Sequence, residues 1–118
     1  MNTQQAGSLA ESWARKYLIQ QGLTWRASNY RCRLGEIDLI MHDKEYVVFV
    51  EVRARRSAAF GGAGASVTYS KQQKLIKTAW VYLIQHKLHA THACRFDVLS
   101  LDGDPPQVNW VKNAFGTN

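Results

Sequence analysis

The sequence is poor in the features that mark several large classes of protein. Two cysteines, Cys32 and Cys94, are too few for a disulfide scaffold and lack the spacing of a zinc finger. The apolar runs are short, Tyr46–Val50 among them, far below the roughly 20 residues that span a bilayer, so no membrane segment is expected. Met1–Gln5 shows neither the positive start nor the apolar stretch of a secretory leader, which with the scarce cysteine points to the cytoplasm. No internal repeat is present. The glycine-rich stretch Phe60–Ala65 lacks a Gly-Lys-Ser/Thr ending, which excludes a phosphate-cradling P-loop. Acidic residues are also few: nine against fifteen Lys and Arg, for a net charge of +6. Such a balance suits a polyanionic partner, nucleic acid first and a membrane surface second, although a solvated basic surface carries the same charge.

What is there is enough for one domain over residues 1–118. At 46% hydrophobic and 20% charged, the chain has the composition of a compact fold rather than of a disordered one. Helical spacing of Ala10, Trp13, Ala14, Tyr17 and Leu18 predicts a first helix over about Leu9–Gln21. Ser8 and Glu11 have the spacing of a capping box at its start, and Gly22 is a natural stop. Thr24–Arg31 reads as a first strand. Glu36–Met41 and Tyr46–Val52 read as a hairpin about the polar His42–Glu45. The second of these is apolar on both faces, as a central strand covered on both sides would be.

Ser70, with Gln73 three residues on, marks the start of a second helix. Its apolar stripe comprises Leu75, Ile76, Ala79, Trp80, Leu83 and Ile84. Arg95–Leu101 reads as a further strand, and Val108–Phe115 as an edge strand beyond the turn at Asp102–Pro106. A helix between two strands favours a parallel crossover. The expected architecture is an α/β sandwich with a mixed sheet and a helix on each face. Trp13 and Trp80 fall on the helix core faces and read as packing residues. His42, His86, His89 and His92 have no common ligand spacing and read as surface.

Glu51 is out of place in a run of Val and Phe, where an unpaired carboxylate would lose its hydration at a cost of several kcal/mol. Either Glu51 already stands in solvent at the strand end, or it belongs to a site. Glu36 and Asp38, two residues apart, would share one strand face. A hairpin centred on Asp43-Lys44 pairs Glu36 with Glu51 and Asp38 with Phe49, and so gathers Glu36, Asp38, Glu51 and Arg53 on one side. A three- or five-residue loop without a bulge would instead put Glu51 on the opposite face. Converging acids need a counter-charge. Two sources fit: a cation for which oxygen-only ligands are suited, Mg²⁺ or Mn²⁺, or Arg53 in a structural ion-pair cluster.

The order Asp38, hairpin, Glu51-Val52-Arg53 resembles the PD-(D/E)xK nuclease motif. The strings Gly35-Glu36-Ile37-Asp38-Leu39-Ile40 and Phe49-Val50-Glu51-Val52-Arg53 resemble the YraN-like family of bacterial proteins, related to archaeal Holliday-junction resolvases. The resemblance runs from Glu11 to Phe96-Asp97-Val98. It implies a restriction-endonuclease-like α-β-β-β-α-β fold and metal-dependent hydrolysis of DNA, branched or junction DNA in particular. It further implies that Asp38, Glu51 and the Val52 carbonyl hold the metal and that Glu11 completes the site. The resolvase relatives work as dimers. By position alone, Glu36 would stand behind these groups, and Gln72, projecting toward the apolar stripe of the second helix, either hydrogen-bonds the site or makes a cap contact in the first turn.

At Arg53 the motif has lysine. Arginine keeps its charge at any ordinary pH and cannot serve as a base, although it can hold a phosphate through two bonds. Slower chemistry, another lysine in its place, or binding without cutting all follow from that departure. Lys71 and Lys74 are the nearest lysines, and both point well away from the apolar stripe of their helix, towards solvent or DNA. With Arg31, Arg33, Arg55 and Arg56 they would form a phosphate-contacting track. Three functions are therefore expected to compete: a nuclease, a nucleic-acid-binding module of the same fold, and a protein-interaction domain with a structural acid–Arg cluster.

Overall fold

A computed structural model describes the backbone of residues 3–55, 67–103 and 105–116, with side chains from residue 9 onward. Arg56 and the glycine-rich stretch 60–65 lie outside these residues. The order of elements is α1 (Thr3–Gln20), β1 (Thr24–Cys32), β2 (Gly35–Asp43), β3 (Tyr46–Arg55), α2 (Tyr69–Gln85), β4 (Ala93–Asp102) and β5 (Gln107–Phe115). The five strands form one mixed sheet in the order β1-β2-β3-β4-β5, with β3 and β4 parallel and the other neighbours antiparallel. This is an α/β sandwich of the restriction-endonuclease-like kind. Among the described residues, no helix is long and apolar enough to cross a membrane.

Period-two alternation along β3 divides the core. Val47 and Phe49 pack against Leu75, Ala79 and Leu83 of α2, while Val48 and Val50 pack against Ala14 and Leu18 of α1. Both faces of the central strand are thus dry, as its sequence required. At the end of α1 the chain turns at Gly22, whose φ of 101° suits glycine. The Leu23 N–H reaches the Leu18 carbonyl at 3.0 Å and closes the helix.

Both helix starts differ from expectation. α1 begins at Thr3, so Ser8 lies inside the helix rather than at its start. The extra turns are polar and carry no apolar periodicity by which to see them. α2 is capped by Thr68, not Ser70: the Thr68 hydroxyl accepts the Lys71 N–H at 3.2 Å. Its buried stripe is also narrower than the sequence suggested. Trp80 and Ile84 are 49% and 56% exposed, and Trp13 on α1 is 41% exposed. These side chains lie on the flanks of stripes whose centres alone meet the sheet.

The β2–β3 turn has two residues, Lys44-Glu45, with Lys44 at φ 55°. Asp43 therefore pairs with Tyr46 and Leu39 with Val50, two residues out from the expected register. The even loop length keeps the predicted parity, but Glu36 pairs with Arg31 on β1 rather than with Glu51. The paired ladder between β2 and β3 stops at Leu39 and Val50, whereas β3 stays paired to β4 from Tyr46 to Arg55. The two middle strands part where the acids are.

Candidate active site

Alternation along β2 breaks at Asp38. Ile37 joins the core under α2 and Leu39 the core under α1, although residues two apart on a regular strand share a face. Across the β1 register Asn29 falls opposite Asp38, and it has φ 54°. The kink places the Asp38 side chain in the gap that opens between β2 and β3. There its Oδ2 accepts the Val52 N–H at 2.8 Å and replaces the partner that β2 would have supplied. In a strand the N–H and C=O of one residue project to the same edge, so the Val52 carbonyl also faces this gap.

Four carboxylates surround the gap. Glu11 approaches from α1, and single oxygens of Glu11, Glu36 and Asp38 lie within 4.8 Å of one another, close enough to share one ion. Asp38 is within hydrogen-bonding reach of both Glu11 and Glu51. On the α2 side Glu36, Asp38 and Glu51 line a cleft of about 190 Å³ together with Gly35, Lys71, Lys74 and Leu75. The predicted convergence of Glu36, Asp38 and Glu51 is therefore found, reached by a kink rather than by strict alternation.

The charges are unevenly compensated. Burial pushes the Asp38 carboxyl up to about 8 from 3.8; its bond to Glu51 and the charges of Glu51 and Glu11 add to this, against the Val52 N–H, which lowers it. Burial also raises Glu11, helped by Glu36, while its bonds to Asn29 and Asp38 and the charge of Arg31 pull the other way. Glu51 is buried and turns its Oε2 to Lys71, which it contacts directly; the Arg53 guanidinium lies 3.9 Å from the same oxygen. Lys71 thus bends back into the cleft, away from the purely outward course that its helical position suggested.

Not every expected residue joins. Gln72 directs its amide to the Val67 carbonyl at 2.9 Å and steadies the first turn of α2, outside the cleft. Arg31 pairs with Glu36 at 2.9 Å on the surface, Arg33 stands exposed on the β1–β2 turn, and Arg55 is half-buried at the end of β3. Two contributors escaped the sequence. Asn29 bonds Glu11 from opposite Asp38. Gly35 lets the β1–β2 turn close on α2: a Cβ there would sit 2.8 Å from the Thr78 hydroxyl, which is itself bonded to the Lys74 carbonyl at 2.8 Å. A Gly before Glu-x-Asp was the available signal for the second.

His86 and His89 are exposed as expected, whereas His42 and His92 are half-buried. His42, His86 and His92 line a second cleft with Arg26 and Tyr82, and burial, aided by Arg26 and His92, lowers the His42 imidazole. Among the described residues the grouping of acids at Glu11, Glu36 and Asp38 is the one set of side chains spaced to hold a metal.

The mixed five-stranded sheet with two helices packed on it defines the class, an α/β sandwich consistent with the restriction-endonuclease-like fold. Within that class the chain belongs to UPF0102, described as an uncharacterised protein family, whose model matches residues 10–101. It is 50% identical to a UPF0102 protein of Legionella pneumophila, with 96% of each chain covered. A UPF0102 protein of Pectobacterium carotovorum is 51% identical, with 99% of this chain and 98% of that one covered. One from Yersinia enterocolitica is 48% identical over the full length of both. The matched span contains Glu11, Asp38, Glu51 and Lys71, in agreement with the YraN-like resemblance of the sequence.

Proposed function

We propose that this protein is a Mg²⁺- or Mn²⁺-dependent endonuclease that hydrolyses phosphodiester bonds of DNA, with branched DNA as its preferred substrate class. The observation that carries the reading is the Asp38 carboxyl in the opened strand pair, pushed up to about 8 beside Glu51 and Glu11. Acids packed this closely lack compensation among themselves, and a cation resolves the conflict better than protonation at neutral pH. The donor set fits: carboxylates and a peptide carbonyl are oxygen ligands, as hard divalent ions require.

Asp38, Glu51 and the Val52 carbonyl would hold the ion, with Glu11 and Glu36 as further oxygens. Bound there, it would supply Lewis acidity and stabilise charge on the phosphate and the leaving oxygen. The chain's own residues do the rest. Arg53, beside Glu51, grips a non-bridging phosphate oxygen of the scissile bond. Arg33, Lys74 and the surrounding bases hold flanking phosphates without reading sequence. In the reaction a water oxygen bonds to phosphorus, the bond to the 3′ oxygen breaks, and a proton ends on that oxygen. Junction DNA cut at two symmetric places would call for a homodimer.

Arginine in the lysine position supports a second reading, a nucleic-acid-binding module of the same fold without turnover. Incubating labelled duplex, single-stranded, flapped and four-way-junction DNA with Mg²⁺ or Mn²⁺, beside Asp38→Ala, decides between them. Cleavage lost in Asp38→Ala supports the nuclease. Metal binding and DNA binding without cleavage of any substrate supports the module. An absence of metal binding, with no difference between wild type and Asp38→Ala, overturns the nuclease, and an absence of DNA binding as well overturns the module and leaves a structural acid cluster.

A further inference from the structure

Resting on the nuclease reading, we propose that Lys71, carried on α2, orients the attacking water, and that Arg53 on the motif strand serves only to hold phosphate. Three observations support this division. Lys71 contacts Glu51 Oε2 directly, while the Arg53 guanidinium stands at 3.9 Å from the same oxygen. Lys71 lines the cleft with Glu36, Asp38 and Glu51, and Arg53 is not part of that lining. The backbone that carries Lys71 is fixed: its N–H bonds the Thr68 hydroxyl, and one turn further on Gly35 lies against Lys74 and Thr78.

The chemistry of the two side chains agrees with the geometry. An ammonium has three donors on a flexible stem. With one donor on Glu51, two remain for a water oxygen and a phosphate oxygen in the same cleft. A guanidinium is a planar fork, suited to two oxygens of one phosphate and poorly suited to a single water. In the step itself the water oxygen held by Lys71 forms the new bond to phosphorus as the 3′ oxygen leaves. One proton of that water passes to solvent, and the leaving oxygen gains a proton from solvent. The ammonium acts as a hydrogen-bond donor throughout and is neither consumed nor changed.

The test is single-turnover cleavage of labelled four-way-junction and flapped DNA in Mn²⁺. Wild type is compared with Lys71→Met, Lys71→Arg and Lys74→Met, with DNA affinity measured separately in Ca²⁺ and folding checked by thermal melting. Removing one donor aimed at the reacting atoms is expected to slow the step about 100-fold or more at saturating DNA, with affinity changed less than about threefold, as one phosphate contact among many would predict. Lys71→Arg keeps the pair with Glu51 and the fold, and is expected to recover only part of the rate. Lys74→Met is expected to weaken binding, with any loss of rate at saturating DNA smaller than that of Lys71→Met.

Full cleavage by Lys71→Met, full recovery in Lys71→Arg, or a loss that follows DNA affinity alone overturns the role of Lys71 and leaves the nuclease intact. Wild-type protein that cuts none of these substrates overturns the nuclease reading and this inference with it.

Discussion

Replacing Asp38 with asparagine is expected to make the metal-free protein more stable, not less. The Asp38 carboxyl is pushed up to about 8 from 3.8. At pH 7.5 the folded chain must therefore hold a proton that the unfolded chain has released. At about 1.4 kcal/mol per pH unit between 3.8 and 7.5, that requirement costs about 5 kcal/mol. Asparagine keeps the shape, can accept the Val52 N–H through its carbonyl oxygen and can donate to Glu51 from its amide, with no charge to suppress. The swap also buries an amide of its own and gives Val52 a weaker acceptor, so a net gain of about 2–4 kcal/mol is expected. For a chain of this length that is a rise in Tm of roughly 6–15 °C.

The sign of the pH dependence is fixed by the direction of the shift. A carboxyl raised in the folded state binds more protons there than in the unfolded state. Its contribution is full below about pH 4 and is lost as pH rises towards 8. Wild type should lose stability across that window, and the asparagine variant should be flatter. Adding Mg²⁺ or Mn²⁺ should raise the Tm of wild type more than that of the variant, because an ion bound only by the folded state stabilises it by mass action. Thermal melts at pH 5, 6.5 and 8, with and without the ion, give the answer. A variant equal to or less stable than wild type at pH 8, with the same pH slope, would refute the account of Asp38.

Gly35→Ala is expected to cost about 1–3 kcal/mol through the 2.8 Å approach to the Thr78 hydroxyl, and less in a Thr78→Ala background, a coupling that a double-mutant denaturation cycle measures. Asp97, buried in β4, accepts from Arg95, from the Trp110 indole at 3.0 Å and from the Asn113 N–H at 2.9 Å. Asp97→Ala should therefore cost about 3–5 kcal/mol in urea denaturation, because it leaves the largely buried Arg95 with the Asp43 carboxylate as its remaining ion-pair partner. Tyr30→Phe removes a 2.6 Å bond to Gln85 near the surface and should cost no more than about 1.5 kcal/mol in the same assay. DNA affinity should fall steeply with added salt, and neutralising Lys74 should reduce the slope of log affinity against log salt by about one; an unchanged slope would remove Lys74 from the interface.

Where burial on a whole strand decided the matter, the sequence was readable. The two-sided apolar run of β3, the parallel return to β4 and the edge position of β5 all follow from patterns that packing enforces. Turns and caps were readable only to within a residue or two. His42 and Asp43 look like loop residues, but Asp43 is held in the sheet by the Arg95 guanidinium at 3.0 Å, which tightens the turn to Lys44-Glu45. Thr68 and Ser70 are equally good caps in composition, and only the path of the chain selects Thr68. The site itself was half readable. Residue types and even parity gathered Glu36, Asp38 and Glu51, but the kink at Asp38 and Asn29 has no local signature. Lys71 was named from the sequence, but its direction was not readable. A lysine stem is long enough to reverse the direction its Cα sets, so helical position alone did not place its amine.

The bond from Val52 to Asp38 gives this protein a built-in gauge. Where β3 is paired to β2 or β4, its peptide N–H groups point to neighbouring backbone, whose charge does not change. The Val52 N–H points instead to a carboxyl in the gap between β2 and β3, one whose charge changes with protonation and with an arriving cation. Its proton resonance should therefore move with the ionisation of Asp38, with arrival of a cation, and with any ligand that displaces either. A single amide in a spectrum would follow the electrostatic condition of the whole site, without a label and with no need for turnover.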